Sequence, residues 1–349
     1  MDFKKFILPH IWNLKPYSSA RDEFKGKEGV FLDANENPLG SGNIPDWNRY
    51  PDPMQWNIKH QLAKIKQCNV DQIFLGNGSD EAIDLLIRMT CDQRKDHIII
   101  CPPTYGMYEV SASVNNVQIE RIDLTADYQL NVDEICAHIN ENSKLIFICS
   151  PNNPTGNKLN RESIYTILDK FTSGFVIVDE AYFDFSDEPS FITELSKFPN
   201  LIVMQTLSKA YGLASLRLGM AFAHPILIQL LNKIKPPYNI SGATQSLVEE
   251  ALKNKEFAKT SAETLNSAKK DLISNLRDLP QIITIYPSNA NFILVKCTNA
   301  QALFDYLIKE KIITRNRSSV TLCDNSIRIS IGLPEENNQL IEKIKRFYA

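Results

Sequence analysis

Residues 206–219 read T-L-S-K-A-Y-G-L-A-S-L-R-L-G and directly follow a short apolar run. The length and β-branched content of that run predict a buried strand. Lys209 comes just past the strand, where loops form clefts and burial disfavours the ammonium form of the side chain. A neutral amine can form a Schiff base with an aldehyde. Because Thr206, Ser208 and Arg217 can bind a phosphate beside it, the stretch suits a phosphorylated aldehyde.

The composition excludes several classes of protein. The 349 residues suffice for a large domain and a smaller one, and 43% of them are apolar, as in ordinary soluble enzymes. The formal net charge of −3 does not predict a nucleic-acid partner or a polybasic membrane anchor. The start lacks the features of a signal peptide, and no run approaches the roughly 20 apolar residues that cross a bilayer.

The seven cysteines are scattered along the chain, and no pair has the C-x-x-C spacing of a zinc or redox site. Several lie in apolar runs, where cysteine behaves as a small hydrophobic residue. We therefore expect reduced thiols, a cytoplasmic protein and no metal site.

A repeated pattern predicts the fold. Four times an apolar run ends in a polar loop, and a helical pattern follows. This order is typical of α/β proteins with a mostly parallel sheet, helices on both faces and a site at the carboxyl ends of the strands. Near the end, the alternating residues 326–332 predict a strand of a smaller α/β domain. We expect an N-terminal arm with part of the small domain at 1-38, a large domain at 39-240 and a small C-terminal domain at 241-349.

Two early loops carry candidate site residues. G-N-G-S-D opens a helix whose first amides, at Ser79 and Asp80, can bind a phosphate. Taken alone, that sequence fits a capped helix without a ligand at least as well. Tyr105 follows a rigid Pro-Pro turn, from which its ring can stack on a planar ligand or pack in the core.

Two later loops carry an amide and a carboxylate. P-N-N-P-T-G at 151–156 holds Asn153 between two prolines, so that its amide can donate to a phenolate oxygen. F-V-I-V-D-E-A-Y at 175–182 places Asp179 at the tip of an apolar run, where a carboxylate costs free energy unless it is paired. A pyridinium nitrogen would pair it, although a helix cap or a surface turn also fits the run by itself.

Taken in order, these motifs resemble those of the fold-type I aminotransferases, which depend on pyridoxal 5′-phosphate. The resemblance implies that Lys209 binds the cofactor aldehyde and moves the proton in transamination. It implies that Asp179 pairs with the ring nitrogen and that Asn153 and Tyr182 hold the ring O3′. The other cofactor ligands that it implies are Ser79, Asp80, Tyr105, Thr206, Ser208, Arg217 and, from a second subunit, Tyr50.

Further details resemble the members of the family that act on histidinol phosphate. They are the short chain, P-Y-x-S-A-R at 16–21, N-E-N-P at 35–38, R-Y-P at 49–51 and the pair Arg315 and Arg328. The resemblance implies a homodimer that exchanges an amino group between histidinol phosphate and glutamate or 2-oxoglutarate in histidine biosynthesis. The substrate-binding residues that it implies are Tyr17, Asn35, Arg315 and Arg328.

Three other functions stay open at this point. An aminotransferase for aromatic amino acids and a threonine-phosphate decarboxylase share the fold. A non-catalytic pyridoxal-phosphate-binding regulator belongs to a different class of protein. The intact set of Lys209, Asp179, Tyr182 and Asn153 counts against the regulator.

Overall fold

Two β-sheets with helices around them make up the computed structural model, which describes residues 1–17, 29–44 and 47–349. The helices are α1 (Pro9–Asn13), α2 (Trp56–Lys66), α3 (Ser79–Thr90), α4 (Met107–Val114), α5 (Val132–His138), α6 (Arg161–Lys170), α7 (Pro225–Ile234), α8 (Gly242–Ala251), α9 (Phe257–Arg277), α10 (Ala300–Lys309) and α11 (Pro334–Tyr348). The strands are β1 (Ile73–Asn77), β2 (His97–Ile100), β3 (Gln118–Arg121), β4 (Ser143–Cys149), β5 (Phe175–Asp179), β6 (Leu201–Thr206), β7 (Leu218–Phe222), β8 (Ile282–Ile285), β9 (Phe292–Cys297), β10 (Arg315–Asn316) and β11 (Ser326–Ser330). Single turns of 3₁₀ helix lie at Phe3–Lys5, Val70–Gln72, Phe183–Phe185, Phe191–Glu194 and Ala214–Leu216.

The larger sheet is mostly parallel, as the repeated pattern predicted. Among the described residues its strand order is β1-β7-β6-β5-β4-β2-β3. The five strands from β6 to β3 pair in parallel. Only β7 runs against its neighbours, β1 and β6. Because β1 and β6 point the same way, their carboxyl ends lie at the edge of the sheet where β4 and β5 also end.

Helices cover both faces of this sheet. In β1, Ile73 and Leu75 pack into one core with Ile58 of α2. Phe74, between them, packs into the opposite core with Ile83 of α3. Successive side chains of a strand point to opposite faces, so burial on both sides explains why these strands read as continuous apolar runs. The predicted fold class is confirmed.

The smaller sheet is antiparallel, with the strand order β10-β11-β9-β8 among the described residues. Its core combines Ile293 of β9 and Ile327 of β11 with Leu303 of α10 and Ile344 of α11. This is the smaller domain that the alternating pattern predicted. The division of the chain at 38 and 240 stays a prediction.

Helix α9 connects the cores of the two sheets. Ala258 and Ala262, in its first half, pack into a core of the large sheet. Leu272 and Leu276, in its second half, pack into the core of the small sheet. In the described part of the chain, none of the helices has the length and apolar character needed to span a bilayer.

A close approach between β7 and the start of α3 fixes one side of the large sheet's carboxyl edge. A Cβ atom on Gly219 would lie 2.1 Å from the backbone nitrogen of Ser79 and 2.3 Å from the carbonyl carbon of Gly78. Both of these neighbours are backbone atoms, which cannot turn away as a flexible side chain can. Position 219 therefore accepts only glycine without a shift of the strand or the helix.

We expect Gly219→Ala to lower the free energy of unfolding by about 1–3 kcal/mol, the usual cost of overpacking a closed site. Urea unfolding followed by circular dichroism measures the change. Gly106→Ala is the matched control, because a Cβ on Gly106 would meet nothing within 4 Å. A Gly219→Ala protein with the midpoint of the wild type would show that the approach is not tight.

Candidate functional site

Loops at the carboxyl edge of the large sheet surround one cavity of about 600 Å³, which includes its open mouth. The size is that of an ordinary small-molecule site. Carboxyl ends of parallel strands meet at one edge, so loops distant in sequence converge here. The cavity is lined by Gly78, Ser79, Asp80, Tyr105, Cys149, Asn153, Asp179, Ala181, Tyr182, Thr206, Ser208, Lys209, Ala214 and Arg217.

Asp179 is the buried acid of the cavity, at the last position of β5 and 2% exposed. Its Oδ2 accepts a hydrogen bond of 2.6 Å from the Tyr108 hydroxyl. Its Oδ1 accepts one of 3.1 Å from the backbone N–H of Ala181. Burial raises the pKa of Asp179 to about 6, although both hydrogen bonds favour the charged form. A cation in the cavity would stabilise this carboxylate further.

Lys209 is the half-buried amine of the cavity, three residues past the end of β6. Its Nζ lies 5.4 Å from the centroid of the Tyr182 ring. Burial and then the positive charge of Arg328 lower the pKa of Lys209. Both effects favour the neutral amine, which is the nucleophilic form.

Small hydroxyls, a helix start and one arginine meet at another side of the cavity. Gly78 has a φ of 75° and precedes α3, whose first residue is Ser79. The Thr206 hydroxyl donates to Ser208 Oγ at 3.0 Å. Arg217 lies beside the helix start, half exposed, with its Nη2 3.4 Å from a carboxylate oxygen of Asp80. Free amides, hydroxyls and a guanidinium form a donor set that suits a phosphate.

Tyr105 closes the cavity over Asp80. Its hydroxyl donates to Asp80 Oδ1 at 3.1 Å, and its ring meets that of Tyr108 edge to face at 5.5 Å between centroids. Burial, followed by the charge of Asp80, raises the pKa of Tyr105 well above its ordinary value. The ring is therefore held in one orientation and stays un-ionised near neutral pH.

Arg328 connects the small sheet to this cavity. Its Nη1 donates a hydrogen bond to Oδ1 of Asn153, in the loop after β4. The guanidinium carbon lies 5.2 Å from the centroid of the Phe292 ring, and Phe292 meets Tyr182 edge to face at 5.1 Å. Burial and then the charge of Arg317 lower the pKa of Arg328.

The structure brings together the predicted residues of five large-sheet loops, those after β1, β2, β4, β5 and β6, and their individual roles stay predictions. Three other predicted residues are exposed and do not line the cavity, namely Tyr17, Asn35 and Tyr50. Tyr50 stacks on Tyr238 at 4.5 Å between centroids. Arg315 is exposed and pairs with Arg328 across β10 and β11. Residues 18–21 of the P-Y-x-S-A-R motif lie outside the described residues.

Sequence reasoning missed Tyr108, Cys149 and Arg317. Tyr108 follows Tyr105 by three positions, a spacing that identifies one helical face but not the acid that the hydroxyl reaches. Cys149, the last residue of β4, was interpreted only as a core thiol. Arg317 lies two positions after Arg315 in the sequence, and no role was predicted for it. Among the described residues, no group of His, Cys, Asp and Glu side chains is arranged to hold a metal ion.

We expect Asp179→Asn to stabilise the cofactor-free protein at neutral pH. The folded protein binds the Asp179 proton up to about pH 6, whereas an ordinary aspartate has a pKa of 3.8. The ionised side chain therefore destabilises the fold progressively as the pH rises from about 4 to about 6, by up to about 3 kcal/mol. Urea unfolding should show the full gain of the variant near pH 7.5 and about half of it near pH 5.

Tyr108→Phe is the matched control for this titration. Without the hydroxyl, the ionised form of Asp179 loses a hydrogen bond, so the pKa of Asp179 should rise above about 6. The pH range over which this side chain destabilises the fold should then extend to higher pH. A gain from Asp179→Asn of the same size at every pH would contradict the assignment to this carboxylate.

The model of the family described as aminotransferase class I and II matches residues 26–344. The histidinol-phosphate aminotransferase of Parabacteroides distasonis is 50% identical over 344 residues, which cover 99% of this chain and 98% of that protein.

Solved structures share the fold. The crystal structure of the histidinol-phosphate aminotransferase from Clostridium acetobutylicum has a TM-score of 0.79 at 24% identity, with 86% of this chain and 91% of that chain covered. The Sinorhizobium meliloti histidinol-phosphate aminotransferase in complex with pyridoxal-5′-phosphate has a TM-score of 0.78 at 22% identity, with 90% of each chain covered. Together with the family match, these likenesses confirm the resemblance seen in the sequence, and the chain belongs to the class I and II aminotransferase family.

Proposed function

We propose that this protein transfers an amino group between L-histidinol phosphate and 2-oxoglutarate, giving imidazole acetol phosphate and glutamate in histidine biosynthesis. Relatives with about 50% identity over nearly the whole chain bear the name histidinol-phosphate aminotransferase. One observation carries the proposal: Arg328 is hydrogen-bonded to Asn153, and its charge acts on Lys209. This arrangement puts an anion-binding group next to a reactive amine.

The residues around the cavity fit pyridoxal 5′-phosphate, which we propose as the cofactor. Asp179 would pair with the ring nitrogen, Tyr105 would lie against the ring, and Asn153 with Tyr182 would hold its phenolic oxygen. Amides at the start of α3 and the side chains of Thr206, Ser208 and Arg217 would hold the phosphate. When bound, the cofactor supplies an electron sink for the electron pair released at the substrate Cα.

Lys209 is the residue that we expect to perform the chemistry. Its Nζ would hold the cofactor through the aldehyde, and once the substrate amine replaces it there, the same Nζ would be the group that takes and returns the proton at the substrate Cα. A base for this step must be neutral, and the lowering of the Lys209 pKa by burial and by Arg328 favours that form. The buried carboxylate of Asp179 would keep the ring nitrogen of the bound cofactor protonated.

The substrate phosphate is assigned to the arginines of the small sheet. Arg328 and Arg315 lie directly opposite each other in the β10–β11 pair. A guanidinium donates two parallel hydrogen bonds to a phosphate or a carboxylate, so Arg328 can also bind the carboxylate of glutamate. We assign Tyr17 and Asn35 to the same substrate, from an arm that lies exposed in a single chain.

A homodimer would complete the site and cover the exposed apolar residues near the chain start. These residues are Val30, Leu32, Leu39, Ile44, Trp47, Tyr50, Trp56 and, from α8, Leu247. So many large apolar side chains near one another are more typical of an interface than of a free surface. We propose that Tyr50 of one subunit reaches the cofactor phosphate of the other, and that the enzyme works in the cytoplasm.

The test is the visible absorption spectrum of the purified protein reconstituted with pyridoxal phosphate. We expect histidinol phosphate alone to abolish the band of the Lys209-bound cofactor, and 2-oxoglutarate to restore it. A band that responds to phenylalanine or tyrosine but not to histidinol phosphate would shift the substrate to aromatic amino acids. Loss of carbon dioxide from threonine phosphate would indicate the decarboxylase. A band that no amino substrate changes would indicate a regulator.

Lys209→Ala is the control for this test. The variant should bind pyridoxal phosphate weakly, without the band of the lysine-bound cofactor, and should show no multiple turnover. Substantial turnover by the variant would contradict the assignment of Lys209. Far-ultraviolet circular dichroism checks that the variant is folded.

A further inference from the structure

Three arginines share one face of the small sheet. Arg315 and Arg328 are direct partners in the antiparallel β10–β11 pair. Arg317 continues the same register, because its backbone N–H donates to the carbonyl of Ser326 at 2.8 Å. Side chains two residues apart on an extended strand point to the same side, and so do those of directly opposed residues. Arg317 therefore lies beside Arg315 and Arg328.

The face that carries these arginines meets the cavity of the large sheet. Arg328 donates to Asn153, which lines that cavity. The positive charges of Arg328 and of Arg317 both act on Tyr182, where they oppose the rise of its pKa caused by burial. Arg317 is thus close enough to influence a residue of the cavity, although it belongs to the other sheet.

Among the described residues, the three arginines are not balanced by an acidic side chain. In the part of the chain that the structure describes, no carboxylate lies within salt-bridge distance of Arg315, Arg317 or Arg328. The Nε atom of Arg317 is buried and has no hydrogen-bond partner. Like charges that are gathered and partly removed from water cost free energy, which a bound anion would recover.

The number of arginines favours a phosphate over a carboxylate as the bound anion. A single carboxylate carries one negative charge and two oxygens, and one guanidinium matches it through two parallel hydrogen bonds. A phosphate monoester carries up to two charges and three free oxygens, so it can engage several guanidiniums at once. Three arginines exceed what the carboxylate of glutamate requires, and they suit the phosphate.

We propose that Arg317 is a third ligand of the substrate phosphate and sets the preference of the enzyme for phosphate monoesters over carboxylates. This assignment rests on the proposed function, because it requires a phosphate-bearing amino substrate. Arg328 serves both substrates, whereas Arg317 serves only the phosphate-bearing one. Arg317 is in this sense a specificity-determining residue.

The test compares the two half-reactions in Arg317→Ala. Losing one charged hydrogen-bonding partner typically weakens binding about 10- to 100-fold, so the KM for histidinol phosphate should rise by that factor. The KM and rate of the glutamate half-reaction should stay within about twofold of the wild type. Inorganic phosphate, as a competitive inhibitor of the loaded enzyme, should lose potency by a similar factor. Arg317→Lys should restore part of both effects, because it keeps the charge.

Two further variants serve as controls, one expected to change both KM values and one expected to change neither. Arg328→Ala should raise the KM for both substrates, because Arg328 is proposed to bind the phosphate of one and the carboxylate of the other and also contacts the Asn153 loop. Arg346→Ala should change neither, since Arg346 is exposed on α11 and pairs with Glu342. Should Arg317→Ala fold poorly, Arg317→Gln preserves more of its packing, and circular dichroism with the cofactor spectrum reports its integrity.

Several outcomes would overturn the proposal. Equal increases in both KM values would reveal a structural role for Arg317, and an unchanged KM for histidinol phosphate with unchanged phosphate inhibition would exclude contact. Failure of the proposed function is distinguishable, because it appears in the wild type as the absence of any spectral response to histidinol phosphate. That result would remove both proposals together.

Discussion

The burial of one carboxylate is the constraint on which the site depends. Asp179 ends a strand in the middle of the large sheet, and the described chain offers it only the Tyr108 hydroxyl and the Ala181 amide as hydrogen-bond donors. Two neutral donors do not balance a charge removed from water, and the raised pKa of Asp179 reflects this deficit. A cationic ring placed against the carboxylate would stabilise its charged form, so the unliganded site favours the binding of such a ligand.

The two sheets contribute different kinds of side chain to the site. The large sheet supplies the acid, the amine and the helix-start amides that are proposed to bind a phosphate, and the small sheet supplies arginines with no carboxylate in salt-bridge distance among the described residues. Arg328 is where the two sets touch, through its hydrogen bond to Asn153. Helix α9 packs into a core of each sheet and therefore holds this contact in place. In the proposed reaction, the reacting end and the anionic end of the substrate would therefore be bound by different parts of the fold.

Local sequence patterns sufficed for the strands and for the residues at their ends. Asp179 and Lys209 could be found because each follows a buried run directly, and the topology rule brings such positions together. Contacts that depend on distant pairing could not be found. Tyr108 reaches an acid 71 positions away. The insertion of β7 between β1 and β6 requires Gly219 to touch the start of α3, which no local pattern indicates. Tyr17, Asn35 and Tyr50 are exposed and do not line the cavity of a single chain, and a second subunit is proposed to bring Tyr50 to it.

In the proposed reaction, substrate binding and the basicity of Lys209 would be coupled through Arg328. The charge of that arginine is, after burial, the largest influence that lowers the pKa of Lys209. An anion bound to Arg328 cancels much of that charge, so the affinity of Nζ for a proton increases when substrate arrives. Before an anion binds, burial and the charge of Arg328 both favour the neutral amine, which is the form that reacts with an aldehyde. In the proposed reaction, the higher proton affinity after binding would make the freed amine a stronger base for the proton on Cα.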